Sequence, residues 1–302
     1  MVPTKFNSFY NITGTGDTFD IVMRPSIRPH KSFHDELCLN AEYIHANRDG
    51  RLYLFYSGGI DSEYVLEVFL SKKIDITPVI VKLEPNLNSY DIDLAIEFCK
   101  SRNIEYILID INFEEFVKSG KFLSHAESVN CVVYQYPVLM EAALKLDGTI
   151  LFGSDEPHFY KDLETGLWYF DEMERIMAVW DRWYKKYNVS GTPCFLSYSP
   201  ETLLGYMDDP RFIDLSNNRC PGLEGTNSSK KIIYNRKLKM PERKKFTGYE
   251  IIETLPIFQH PDIQKIKSDP LKNHNMPGNG YYKILHSDLY NLLNREQLTI
   301  TL

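Results

Sequence analysis

The stretch LYLFYSGGIDSEYVLEVFL, residues 52–70, decides the reading of this chain. Five apolar or aromatic residues run into Ser57-Gly58-Gly59, Asp61 and Ser62 follow, and the apolar run then resumes at once. A buried strand, a tight glycine turn and a buried helix account for that pattern. Gly58 and Gly59 remove side chains so that backbone N–H groups can close around an anion. Ser57 and Ser62 add hydroxyl donors, and a helix beginning near Asp61 contributes its positive end. The turn is not a Walker loop, because no lysine follows the glycines before Lys72. Nor is it a dinucleotide fingerprint, whose third glycine would stand where Ser62 and Glu63 are.

Working outward, HKSFHDELCLNAEYIHANRDG before the stretch reads as a helix, with Phe33, Leu37, Tyr43 and Ile44 near helical spacing and Gly50 at its end. After it, DITPVIVKLE reads as a strand, SYDIDLAIEFCKSRN as an amphipathic helix and IEYILIDI as another strand. ESVNCVVYQYPVLMEAALKL is expected to form one further helix before a fourth strand in GTILFGSDEPH. Alternation of this kind is the signature of an α/β parallel sheet with right-handed crossovers and helices on both faces. The organisation expected is an N-terminal extension over 1–34, a parallel-sheet domain over 35–160 and a mainly helical C-terminal region over 161–302. In that last region DEMERIMAVWDRWYKKY places Met173, Ile176, Met177, Trp180, Trp183, Tyr184 and Tyr187 on one helical face, which reads as core.

The chain has 302 residues, 43% of them hydrophobic and 25% charged, within the range of a soluble globular protein. Its cysteines, Cys38, Cys99, Cys131, Cys194 and Cys220, stand singly with no CxxC pair, so neither a disulfide framework nor a zinc cluster is indicated. No run approaches a membrane span and the start lacks the apolar core of a signal peptide, so a cytoplasmic protein without a membrane partner is expected. The net charge of −7 is uneven. Residues 230–245 hold eight basic side chains against Glu242 alone, and residues 147–174 hold eight acids against Lys161 alone.

These two segments carry the remaining candidates. In LFGSDEPHFYK, Asp155 and Glu156 would lie at the same sheet edge as the glycine turn, where hard carboxylates beside a polyphosphate suit Mg²⁺. Gly153 precedes them, and His158 and Lys161 follow within reach of a phosphate. In the basic segment, Lys230, Lys231, Arg236, Arg243 and Lys244 suit phosphate oxygens, whether of pyrophosphate or of a polyanionic acceptor; a solvated face is the plain alternative.

SGGIDS at 57–62 resembles the PP-loop, SGGxDS, of the ATP pyrophosphatase superfamily, matching every fixed position between a strand and a helix. That superfamily includes the asparagine, GMP and NAD synthetases, tRNA thiolation and lysidine enzymes, and sulfonucleotide reductases. The resemblance covers roughly residues 35–160. It implies a Rossmann-like, HUP-type domain that splits ATP between its α and β phosphates. Ser57, Gly58, Gly59, Ile60, Asp61 and Ser62 would hold the pyrophosphate moiety, with Gly153 beside them. Asp61, Ser57 and Lys161 are implied in catalysis, Asp61, Asp155 and Glu156 in binding Mg²⁺. Val81, Lys82 and Leu83, by position, would frame the adenine through backbone groups. Asp155 and Glu156 loosely match the GxGADE turn of asparagine synthetase.

The activity implied is that of an adenylating ligase of the amidotransferase or synthetase type. An RNA-modifying enzyme with a tRNA-type substrate and a non-catalytic nucleotide-binding module are the alternatives. The residues before Ser57 are too few for a glutaminase domain, so free ammonia, a separate glutaminase or an amine on the acceptor is the expected nitrogen source. Single cysteines and the cysteine-free tail NLLNREQLTITL speak against thiolation and sulfonucleotide reduction. A homodimer is compatible with the sequence.

Overall fold

The computed structural model describes residues 10–13, 20–23, 25–131, 133–153, 157, 159–162, 164–216, 233–234, 247–267, 281–295 and 298–300. Strands β1 (Tyr10–Thr13) and β2 (Asp20–Met23) precede helix α1 (Phe33–Asn47). The parallel-sheet unit then runs β3 (Arg51–Phe55), α2 (Ile60–Ser71), β4 (Thr77–Glu84), α3 (Ser89–Ser101), β5 (Ile107–Asn112), α4 (Phe113–Lys118), α5 (Lys121–Glu127), α6 (Tyr136–Ala143) and β6 (Gly148–Phe152). Beyond it come β7 (Phe159–Lys161), β8 (Trp168–Met173), α7 (Glu174–Tyr187), β9 (Ser190–Thr192), α8 (Pro200–Met207), α9 (Pro210–Ser216), α10 (Tyr249–Ile252), α11 (Pro261–Lys267), β10 (Tyr281–Leu285), α12 (His286–Arg295) and β11 (Leu298–Ile300).

The main sheet has the order β5-β4-β3-β6-β9, with every neighbouring pair parallel. Successive side chains of a strand point to opposite faces, and β3 displays this directly. Leu52 and Leu54, with Tyr56 just after the strand, pack with Phe33 and Leu37 of α1, Val65 and Phe69 of α2, and Ile92 and Ala95 of α3. Tyr53 and Phe55 face the other way, into a core with Val138 and Met140 of α6 and Trp180, Trp183 and Tyr184 of α7. A strand buried on both faces needs no polar alternation, which is why LYLFY reads as a continuous apolar run. The protein is thus α/β, Rossmann-like, with helices on both faces.

Several elements depart from the reading of the sequence. The helix expected over 127–146 is realised only as Tyr136–Ala143, with Pro137 in its first turn. Proline has no N–H to donate and suits a helix start, so it begins the helix where an apolar run alone would have extended it. The sheet takes its fifth strand, β9, from beyond residue 160. The C-terminal half also builds an antiparallel sheet in the order β10-β8-β7. Apart from these departures, β1 and β2 of the extension pair antiparallel, and β11 adds a third strand. Within α7, Trp180, Trp183 and Tyr184 are buried, as their helical spacing requires.

Candidate functional site

The chain leaves β3 through Tyr56, whose N–H donates to the Val79 carbonyl at 2.8 Å, and turns at Gly58 with φ +69°. That left-handed conformation favours glycine, and space demands it as well: a Cβ on Gly58 would lie 2.9 Å from the Asp91 carbonyl oxygen and 3.2 Å from the Ala95 Cβ. The turn is closed by its own serines. The Ser57 N–H donates to Ser62 Oγ at 3.3 Å, the Gly59 N–H donates to Ser57 Oγ at 3.3 Å, and Ser62 Oγ donates to the Gly59 carbonyl at 3.1 Å. Gly59 then caps α2 with no side chain of its own to bond the first-turn N–H groups, which leaves the positive end of this helix at the turn.

The end of β6 comes up against this turn. A Cβ on Gly153 would lie 2.5 Å from Ser62 Cα and 2.8 Å from Ser62 Cβ, so only glycine lets the two strands' exits lie so close. β3 and β6 are the neighbours between which the sheet's connections reverse direction. In open α/β sheets that reversal opens a crevice at the carboxyl ends of the strands. Here it is a cavity of about 400 Å³. Ser57, Gly59, Asp61, Ser62 and Gly153 line it together with the apolar Val79, Val81, Leu83 and Ile92 and the rings of Phe152, Tyr136 and Trp180. These rings pack closely at tilted angles, with Phe152 and Trp180 centroids 4.3 Å apart and Tyr136 and Trp180 5.2 Å apart. The volume and the mix of apolar walls with few polar groups suit a nucleotide-sized ligand.

Of the residues singled out from the sequence, Ser57, Gly59, Asp61, Ser62, Val81, Leu83 and Gly153 line this cavity. Gly58 and Ile60 shape the turn behind it. Lys82 turns its ammonium to Glu84 at 2.6 Å, and lies outside the lining. That ion pair holds the Glu84 carboxyl below its ordinary range and Lys82 above its own. Lys161 ends β7 in the antiparallel sheet, opposite Trp168, and is not among the lining residues. Asp155, Glu156 and His158, the basic positions Lys230, Lys231, Arg236, Arg243 and Lys244, and Cys220 lie outside the described residues.

Sequence reasoning missed Asn88, Asp91, Gln135, Thr247 and Tyr249, which also line the cavity. Asn88 carried a signal, since an asparagine before an apolar run marks a helix start, but that signal assigns its side chain to the helix and not to the strand it serves. Tyr249 comes from more than a hundred positions downstream, and nothing local announces it. Burial pushes its phenol well above the ordinary range, so it stays neutral, and its hydroxyl donates to the Gln135 carbonyl at 3.3 Å.

Asp61 and Asp91 are the ionisable acids on the lining, and no lysine or arginine lies there among the described residues. A bound polyphosphate would therefore meet like charge, which a divalent cation relieves. Carboxylate oxygen is the right donor for Mg²⁺, an ion that needs only one or two protein carboxylates when phosphate oxygens complete its shell. Among the described residues no cluster of three or more acids, histidines or cysteines forms a cage for a metal. The lining thus fits a cation that would arrive with a phosphate-bearing ligand.

No protein family and no curated protein matches the chain at a significant level. Solved structures do overlap it in part. The predicted subunit of tRNA methyltransferase from Methanocaldococcus jannaschii aligns with a TM-score of 0.33 at 13% identity, over 65% of this chain and 94% of that one. The NH3-dependent NAD synthetase from Campylobacter jejuni subsp. jejuni aligns with a TM-score of 0.31 at 17% identity, over 70% of this chain and 97% of its own. The NMN synthetase from Francisella tularensis gives 0.30 at 15% identity, over 70% and 98%. Among the described residues no helix is long and apolar enough to cross a membrane.

Proposed function

We propose that this chain is an ATP-dependent adenylating ligase, cleaving ATP to AMP and pyrophosphate to activate an acceptor. One observation carries the reading: the SGGIDS turn, bent at a left-handed Gly58 and leading into a helix start without a side-chain cap, opens on a nucleotide-sized cavity at the reversal point of a parallel sheet. The β and γ phosphates would lie on the turn, where α2 and its first N–H groups complement negative charge. Asp61 would hold Mg²⁺ together with phosphate oxygens. When bound, that ion neutralises charge on the departing pyrophosphate.

The chain's own contribution is position. The serine-closed turn would fix the leaving group, Gly153 lets the end of β6 approach that turn, and the Phe152, Tyr136 and Trp180 rings would border the acceptor at the α-phosphorus. An acceptor oxygen attacks that phosphorus in line, its new P–O bond forming as the bond to the bridging oxygen breaks, and pyrophosphate leaves with the bonding pair. The adenylylated acceptor is then open to a nucleophile, with nitrogen coming from ammonia, a separate glutaminase or an acceptor amine.

The test is incubation with α-labelled ATP, Mg²⁺ and pools of amino acids, nucleotides or tRNA. AMP and pyrophosphate are expected. ADP and phosphate would overturn the cleavage assignment, product with RNA alone would favour the RNA-modifying alternative, and ATP binding without turnover would favour the nucleotide-binding module. Asp61→Asn and Ser57→Ala should each slow pyrophosphate release by about tenfold or more, roughly 1.4 kcal/mol of barrier. Unchanged turnover in both would remove the turn from the reaction.

A further inference from the structure

The β4 wall of the cavity leaves open what reads the base. β3 ends at Phe55, and the last rung between the two strands runs from the Tyr56 N–H to the Val79 carbonyl. Past that rung, the Val81 carbonyl and the Leu83 N–H stand on the side of β4 that β3 has vacated. An acceptor followed by a donor complements the 6-amino group and N1 of adenine, and opposes the 6-oxo group and N1–H of hypoxanthine. In this chain the pair is already closed. Asn88 Oδ1 accepts from the Leu83 N–H at 2.8 Å, and Asn88 Nδ2 donates to the Val81 carbonyl at 2.9 Å. An N–H has a single proton to give, so the Leu83 donor is occupied.

The carboxamide is held in place. Asn88 is the cap residue of α3, a position where asparagine ordinarily accepts from the helix, yet it makes no side-chain cap bond there. It is 8% exposed. Gly248, with φ +86°, presses on it from outside: a Cβ on that glycine would lie 2.6 Å from Asn88 Cβ and 2.6 Å from the Leu87 carbonyl oxygen.

We propose that Asn88 determines the nucleotide specificity of the cavity by closing the β4 edge, so that the site holds a purine triphosphate by its phosphates and ring faces and does not distinguish a 6-amino from a 6-oxo purine. The proposal rests on the phosphate-turn reading above. Calorimetric titration of the full chain with ATP, ITP and pyrophosphate, in the presence of Mg²⁺, tests it.

Wild-type protein should bind ATP and ITP within about threefold of each other. Asn88→Ala frees the edge and should then favour ATP over ITP by about tenfold or more, because the mismatched base leaves a buried donor unpaired. Pyrophosphate affinity should be the same in both. Should the alanine variant unfold, Asn88→Ser, whose short hydroxyl can cap α3 while vacating the strand, is expected to give the same shift. A wild type that already prefers ATP tenfold overturns the proposal, as does a folded variant with an unchanged ATP-to-ITP ratio. Pyrophosphate binding together with such a preference overturns this proposal alone. No binding of any of the three overturns the phosphate-turn reading and this proposal with it.

Discussion

Three glycines separate the two costs that a methyl group can incur. Gly120 has φ +76° and open space where a Cβ would stand, so Gly120→Ala meets only the backbone preference, about 1 kcal/mol. Gly58 combines φ +69° with a carbonyl oxygen 2.9 Å from the added carbon. Gly153 has no positive φ but would drive a methyl group to 2.5 Å from Ser62 Cα, a contact with backbone that no side-chain rotation relieves. Gly58→Ala and Gly153→Ala should each cost about 2–3 kcal/mol in urea unfolding. Pyrophosphate binding should fall in both and remain unchanged in Gly120→Ala. Equal losses of stability in all three would mean that the turn and the end of β6 are not packed as described. Gly58 was legible in the sequence because its neighbours form a recognisable turn. The need for Gly153 was not, because the contact that excludes a side chain there comes from Ser62, ninety-one positions earlier in the chain.

At the scale of elements, the strands and helices that were legible are those whose burial follows their own period. The continuous apolar run of β3 announces burial on both faces, and the i, i+3, i+4 pattern of α3 and the aromatic stripe of α7 each announce one. β9 did not: Ser190-Gly191-Thr192 has no strand composition, and it belongs to the sheet only because Gly191 lets it lie against β6. The β8–β10 pairing joins Met173 to Tyr281, a partner that no local pattern can name. Helix α7 itself serves two purposes that mutation can separate. Trp183 and Trp180 are both buried, but only Trp180 lines the cavity. Replacing either with alanine should destabilise the fold by about 3–5 kcal/mol. Measured where both variants remain folded, nucleotide affinity should drop in Trp180→Ala and hold in Trp183→Ala; the reverse order would place the ligand elsewhere.

For the whole molecule, the groups whose titration is shifted by folding set the acid limit of stability. His286 opens α12 against the rings of Phe159 and Phe212, at centroid distances of 5.7 and 5.5 Å, with Nε2 buried and lacking a hydrogen-bond partner. Burial pushes its ring below the ordinary 6.5, and the nearby Asp208 charge only partly opposes this. A lowered value means that the unfolded chain takes up the proton first, so this contribution is complete above pH 6.5 and is lost as pH falls. Glu36 anchors the segment before α1 by accepting from the Arg28 guanidinium and from the Lys31 N–H at 2.6 Å. Burial raises its carboxyl, but Arg28 and the Lys31 N–H more than offset that and leave it below 4.5. Burial likewise raises the Glu141 carboxyl, but His125 and Lys121 more than offset that and leave it below 4.5. These two contributions are complete above pH 4.5 and disappear as pH falls through the shifted values. Urea midpoints should therefore be flat from pH 8 to about 7, decline below pH 6.5 and fall more steeply below pH 4.5. His286→Phe, which suits the surrounding rings, should abolish the first decline and leave the second. Glu36→Gln should lower stability at neutral pH while flattening the second. A midpoint that rises between pH 6.5 and 5 would show instead that His286 gains its proton on folding, with Asp208 outweighing the apolar cage.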